Sequence, residues 1–186
     1  MKKLSTYTND LLTYNKHFLS AIRSQKTSET VTNPKAVDLL HNIDIAVTNQ
    51  INELENFDDL VSDSTTDEIK DKIASAFGTI AGNVDSLRKD PISKILRDDY
   101  TALSMMASGY TMLYTAALTY ERERLANFAK ESLSRIAQLI TECSQIIPFV
   151  VADELLDESK NSNEIAEKAL EETQKAWDVK NTMVEA

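Results

Sequence analysis

Apolar residues return at intervals of three and four along nearly the whole chain, the spacing that lines one face of an α-helix. No stretch alternates apolar and polar residues at the period of a strand; the β-branched residues fall on helical periods instead. The pattern predicts six helices and no sheet. The first runs from about Ser5 to Ser24, with Leu4, Tyr7, Leu11, Phe18 and Ile22 on one face, and Gln25 to Thr32 is a polar loop. Asn33 is placed to cap a second helix that starts at Pro34, where a missing N–H costs nothing. That helix turns Ala36, Leu40, Ile43, Val47, Ile51 and Leu54 inward and fades near Leu60. Thr65-Thr66-Asp67-Glu68 has the form of a capping box and opens a third, carrying Ile69, Ile73, Phe77, Ile80, Val84 and Leu87. Within it Ala74, Gly78 and Gly82 stand four apart, read as thinning against a bulky neighbour rather than as a dimer contact.

Asp90-Pro91 is expected to open the fourth helix as Asn33-Pro34 opens the second, with Leu96, Leu103, Ala107, Tyr110, Tyr114 and Ala117 inward. A turn between Glu123 and Asn127 leads into the fifth, which buries Leu125, Phe128, Ile136, Ile140, Cys143 and Ile147. Pro148 should kink or end it. Residues 157–163 read as a polar linker, and a last helix runs from Glu164 to about Val179. The expected organisation is an all-α bundle domain at 1–156, the linker at 157–163, and a C-terminal helix within 164–186 that packs on the bundle or on a second subunit.

Composition sharpens this picture. With 3 Gly and 3 Pro in 186 residues there are few breakers, and 42% hydrophobic with 27% charged residues suits a folded domain. The net charge of -10 repels phosphate backbones and anionic lipid, so neither nucleic acid nor a membrane surface is an expected partner. Cys143 is alone, which excludes an internal disulfide and points to a reducing cytoplasm. Met1-Lys2-Lys3-Leu4 is followed at once by polar Ser5, Thr6, Thr8, Asn9 and Asp10, so a signal peptide is not expected, and no run elsewhere is expected to span a membrane.

Candidate chemistry is sparse. A carboxylate-bridged metal pair in a helix bundle needs Glu-x-x-His on two helices, and the chain has none. The nearest echo, Asp38-Leu39-Leu40-His41, sits off the stripe through Ala36, Leu40, Ile43 and Val47, and His17 sits off the line through Leu11 and Phe18. Cys143 lies between Ile140 and Ile147, as a small hydrophobe would. No nucleophile elbow, phosphate loop or dinucleotide fingerprint occurs, and Met105 and Met106 read as gap-fillers. Tyr110 and Tyr114, one turn apart, have Ser104, Ser108 and Thr111 nearby. With Asn15 of the first helix they outline a small polar pocket, for which the candidate residues are Asn15, Ser108, Tyr110 and Tyr114. Two readings stand: rings filling a core with their hydroxyls bonded, which is preferred, or a cavity for a small ligand.

Three stretches carry a family resemblance: Asp10-Leu11-Leu12-Thr13-Tyr14-Asn15-Lys16; Ile51-Asn52-Glu53-Leu54-Glu55; and Leu96-Arg97-Asp98-Asp99 followed by Ser108-Gly109-Tyr110 and Tyr114-Thr115-Ala116-Ala117-Leu118. Together, over about residues 5 to 155, they resemble the small bacterial ferritin-like stress proteins, a rubrerythrin-related group. The resemblance implies a ferritin-like up-and-down bundle of four main helices with extra short helices. It also implies that the metal ligands are gone: the first-helix glutamate falls at Asn15 and the fourth-helix carboxylates at Ser108 and Thr111. The fifth helix offers Ile136 and Cys143 inward, with Glu131 and Glu142 turned away. The expectation is an electrically neutral interior, with no catalytic, cofactor-binding or metal-binding residue. The function expected is that of a non-enzymatic, metal-free, cytoplasmic and stress-associated scaffold that self-associates, most simply as a dimer. An iron- or manganese-dependent oxidase with atypical ligands and a small-ligand binder are the alternatives.

Overall fold

The computed structural model describes residues 2–61, 91–156 and 161–177. All regular structure among them is helical: α1 (Lys2–Lys26), α2 (Pro34–Glu55), α3 (Ile92–Thr119), α4 (Glu123–Leu155) and α5 (Ser162–Trp177). The predicted third helix, with its capping box and its Ala74, Gly78 and Gly82, lies outside the described residues. So do Asp90, the first part of the linker at 157–160, and the chain after Trp177.

Four of the helices bury strips that alternate steps of four and three. On α1 the strip is Leu4, Thr8, Leu11, Asn15, Phe18, Ile22 and Gln25; on α2 it is Ala36, Leu40, Ile43, Val47, Gln50 and Leu54. On α3 it is Ile92, Leu96, Asp99, Leu103, Met106, Tyr110, Leu113 and Ala117; on α4 it is Leu125, Ala129, Ser132, Ile136, Leu139 and Cys143, resuming at Val150. A mean step of 3.5 residues is the signature of helices packed side by side at a shallow angle. The packing follows that rule: α1 lies against α2 and α3, and α4 against α2 and α3.

Cross-helix bonds fix the directions. Lys16 reaches Glu55 and Arg23 reaches Asp44, so α1 and α2 run antiparallel. Asn15 bonds to Tyr110 and Gln25 to Asp99, so α1 and α3 do too. Gln50 meets Ser132 while Asn33 meets Asp153, which sets α2 against α4. Among the described residues the order is therefore up, down, down, up: α2 and α3, which flank residues 62–90, run in the same direction. The hydrophobic pattern identifies inner faces but carries no information on which neighbour each face meets.

At one end, α4 serves the starts of two other helices. The Asn33 Oδ1 accepts from the Lys35 and Ala36 amides as predicted, while its Nδ2 donates to Asp153. Pro91 stands in the cap position itself and offers no side-chain acceptor; the Ser93 N–H instead donates to Glu154 at 2.9 Å. The expected likeness of the two starts is thus corrected. A carboxylate there also suits the positive end of the helix dipole.

At the other end, α3 stops at a Schellman turn. The Arg122 N–H donates to the Ala117 carbonyl and the Glu121 N–H to that of Leu118, with Glu121 at a φ of 54°. The break falls at residues 120–122, slightly before the predicted Glu123 to Asn127. Pro148 does not end α4, which continues to Leu155. Among the described residues, α4 is also long and apolar enough to cross a membrane, where the sequence leads one to expect no such run; here it packs on α2, α3 and α5. α5 folds back along α4 and buries only Ala166.

Candidate functional site

Polar side chains enter the core at positions of the same strips; apart from Thr8, which bonds back to the Leu4 carbonyl of its own helix, they gather in two places. The first is a layer to which four helices contribute one residue each. Asn15 of α1 donates from Nδ2 to the Tyr110 hydroxyl of α3 at 2.8 Å. Ser132 of α4 faces the same hydroxyl and favours its charged form, though less than burial opposes it. Gln50 of α2 donates from Nε2 to the Ser132 carbonyl at 3.4 Å, a long bond. Burial pushes the Tyr110 phenol well above its usual range, so it stays protonated and acts as a neutral donor and acceptor. The ring of Phe128 meets that of Tyr110 edge-on, with centroids 5.9 Å apart. A Cβ at Gly109 would stand 2.9 Å from Leu11 Cδ1, so the end of that side chain would have to shift.

Of the four residues expected to form a pocket, the structure brings together two, Asn15 and Tyr110. Ser108 is exposed and donates to the Ser104 carbonyl of its own helix. Two residues from both Met106 and Tyr110, it is turned about 200° from each inner position. Tyr114 is half-buried and lines a surface groove with Leu118, Glu121, Arg122 and Ala126. The inner position beside it belongs to Leu113, because the strip follows a 3.5-residue period rather than steps of four.

The second polar site lies toward the other end of the same helices. Asp99 of α3 is 2% exposed and accepts from Gln25 Nε2 of α1 at 2.9 Å. Burial lifts the Asp99 carboxyl to about 7, against the pull of the Gln25 bond and with a further push from Asp98. Cys143 of α4 lies beside it; its thiol donates to the Leu96 carbonyl at 3.2 Å. Burial, and secondarily the Asp99 charge, pushes that thiol up to about 12, so it is no nucleophile at neutral pH. The expectation of a wholly neutral interior therefore needs one correction, Asp99.

Asp99, Gln25, Gln50 and Ser132 escaped the sequence reading, although spacing marks all four. Asp99 stands three after Leu96 and four before Leu103; Gln50 sits between Val47 and Leu54 in the same way. Gln25 stands three past Ile22, and Ser132 four before Ile136. Extending each strip strictly, without skipping polar residues, finds them.

Metal chemistry finds little to work with. Asp38, His41 and His17 are exposed, as expected, and among the described residues no three His, Cys, Asp or Glu side chains converge. Glu131 is exposed and Glu142 partly so. No family model, no curated protein and no solved structure matches the chain.

Proposed function

We propose that this chain is a ferritin-like bundle without metal chemistry, acting as a non-enzymatic protein that associates with itself. The observation that carries the reading is the layer Asn15–Tyr110–Ser132, with Gln50 beside it. It fills with neutral groups the midsection in which a di-metal bundle gathers carboxylates, although Asn15 Oδ1 and Gln50 Oε1 are left without a partner.

Self-association is assigned to the outer face of α3. From Tyr100 to Tyr120 the chain has no charged residue, although its net charge is -10. Met105, Met112 and Leu118 on that helix are 44%, 50% and 55% exposed, among hydroxyls of Ser108, Thr111 and Thr115. An uncharged face lets two acidic copies meet without opposing like charges. A cytoplasmic, stress-associated role belongs to the same proposal and rests on the lone cysteine and the family resemblance.

Two measurements test it. Protein produced in iron- and manganese-supplemented cells should carry neither metal in stoichiometric amount; bound metal that is lost on replacing Asp38 or His41 would favour the oxidase. Sedimentation equilibrium should show a dimer that the double substitution Met105→Glu, Met112→Glu converts to monomer. A wild-type chain that is monomeric at high concentration defeats the self-association half of the reading.

A further inference from the structure

Asp99 and Gln25 carry an imbalance that packing does not explain. The Gln25 Nε2 donates to Asp99 Oδ1, and this leaves Gln25 Oε1 and Asp99 Oδ2 buried with no hydrogen-bond partner. Both leftover atoms are acceptors when the carboxyl is ionised. A buried acceptor without a donor is costly, and a buried unpaired charge more so.

Among the described residues, no positive charge is free to match. On α1, Arg23 and Lys26 are both engaged with Asp44 of α2. On α3, Arg97 is held by Asp98, which leaves Asp98 as a second negative group nearby. On α4 the facing group is the protonated Cys143, whose hydrogen points at the Leu96 carbonyl. The neighbouring Tyr100 faces a groove toward Thr173, Gln174 and Trp177 of α5, which are neutral.

We propose that Asp99 and Gln25 form a buried proton-binding site, in which a proton on Asp99 Oδ2 donates to Gln25 Oε1 and closes a two-bond ring between α1 and α3. A carboxylic acid and a primary amide each present one donor and one acceptor, so the pair is complementary only when the acid is protonated. A proton also needs no room, which matters where the side chains are 2% and 3% exposed. The upward shift of the Asp99 carboxyl runs in the same direction.

Protonation is then coupled to folding. The carboxyl is at about 7 in the folded chain against an ordinary 3.8, so folding takes up a proton between those values. The stability this site supplies is fully present below the ordinary carboxyl value and is lost as pH rises through about 7. Inside the window the unfolding constant grows roughly tenfold per pH unit.

Denaturant unfolding from mildly acidic to mildly alkaline pH reads this slope. Asp99→Asn offers the same donor and acceptor at every pH, so it should abolish the slope and exceed the wild type in stability above neutrality. Asp99→Leu, neutral but unable to bond, should fall below Asp99→Asn throughout. Carbon NMR of the Asp99 carboxyl in the wild-type protein reads the proton directly and depends on no variant folding. A carboxyl titrating in the ordinary range, or a wild-type slope that Asp99→Asn leaves unchanged, overturns the proposal.

Discussion

Tyr110 is the largest fully buried side chain among the described residues, and its hydroxyl accepts from Asn15 and faces Ser132 in the polar layer. Removing that oxygen leaves Asn15 Nδ2 buried without an acceptor, beside an Asn15 Oδ1 that already has no partner. Tyr110→Phe should therefore cost about 1–3 kcal/mol in chemical denaturation. Tyr114→Phe, at a half-buried position away from that layer, should stay within about 0.5 kcal/mol. Equal losses at both sites would mean that the layer is not a unit. If the two rings instead lined a ligand cavity, the pair of substitutions would abolish a ligand's thermal stabilisation, and the cost to the free protein would be secondary. Spacing alone marks Asn15 and Tyr110 as inner residues. What it does not distinguish is Leu113 from Tyr114, because adjacent positions differ by only about 100°, and a drift from steps of four to a 3.5-residue period moves the strip from one to the other.

Among the elements, boundaries announced by residue chemistry were readable and those made by backbone conformation were not. Asn33-Pro34 starts α2 where the cap rules place it. The α3–α4 turn was less visible because the left-handed position that ends α3 is held by Glu121, where glycine is the usual signal. A side chain there costs on the order of 1 kcal/mol. Glu121→Gly should return about that amount, less the entropy that a glycine adds to the unfolded chain, and should raise the melting temperature without altering the helix content. A loss of stability would show that the Glu121 side chain contributes more to the turn than its backbone strain removes. Pro148 teaches the converse: the residue type predicts an interruption, but α4 is braced by α2, α3 and α5 and runs on to Leu155. Tertiary packing outweighs the local penalty.

For the whole molecule, helix content and inner faces were legible, whereas the relative directions required the structure. Strips of the same 3.5-residue period fit several arrangements of four helices, and only paired residues such as Gln25–Asp99 and Asn33–Asp153 choose among them. The same bonds say where stability resides. Among the described residues, every buried strip belongs to α1 to α4, and the polar layer draws on all four; α5 contributes Ala166 alone, with Ile165 and Trp177 more than half exposed. Its internal ion pairs, Lys175 with Glu171 and Glu172, are exposed and add little to docking. A helix of 16 residues held this lightly is marginal by itself. A chain truncated after Leu156 should therefore keep a cooperative transition, with a melting temperature within about 4 °C of the full chain, a shift of about 1 kcal/mol. The denaturant slope should fall only slightly, since little surface is buried beneath the lost helix. Loss of cooperativity on truncation would place α5 inside the folding unit, together with α1 to α4.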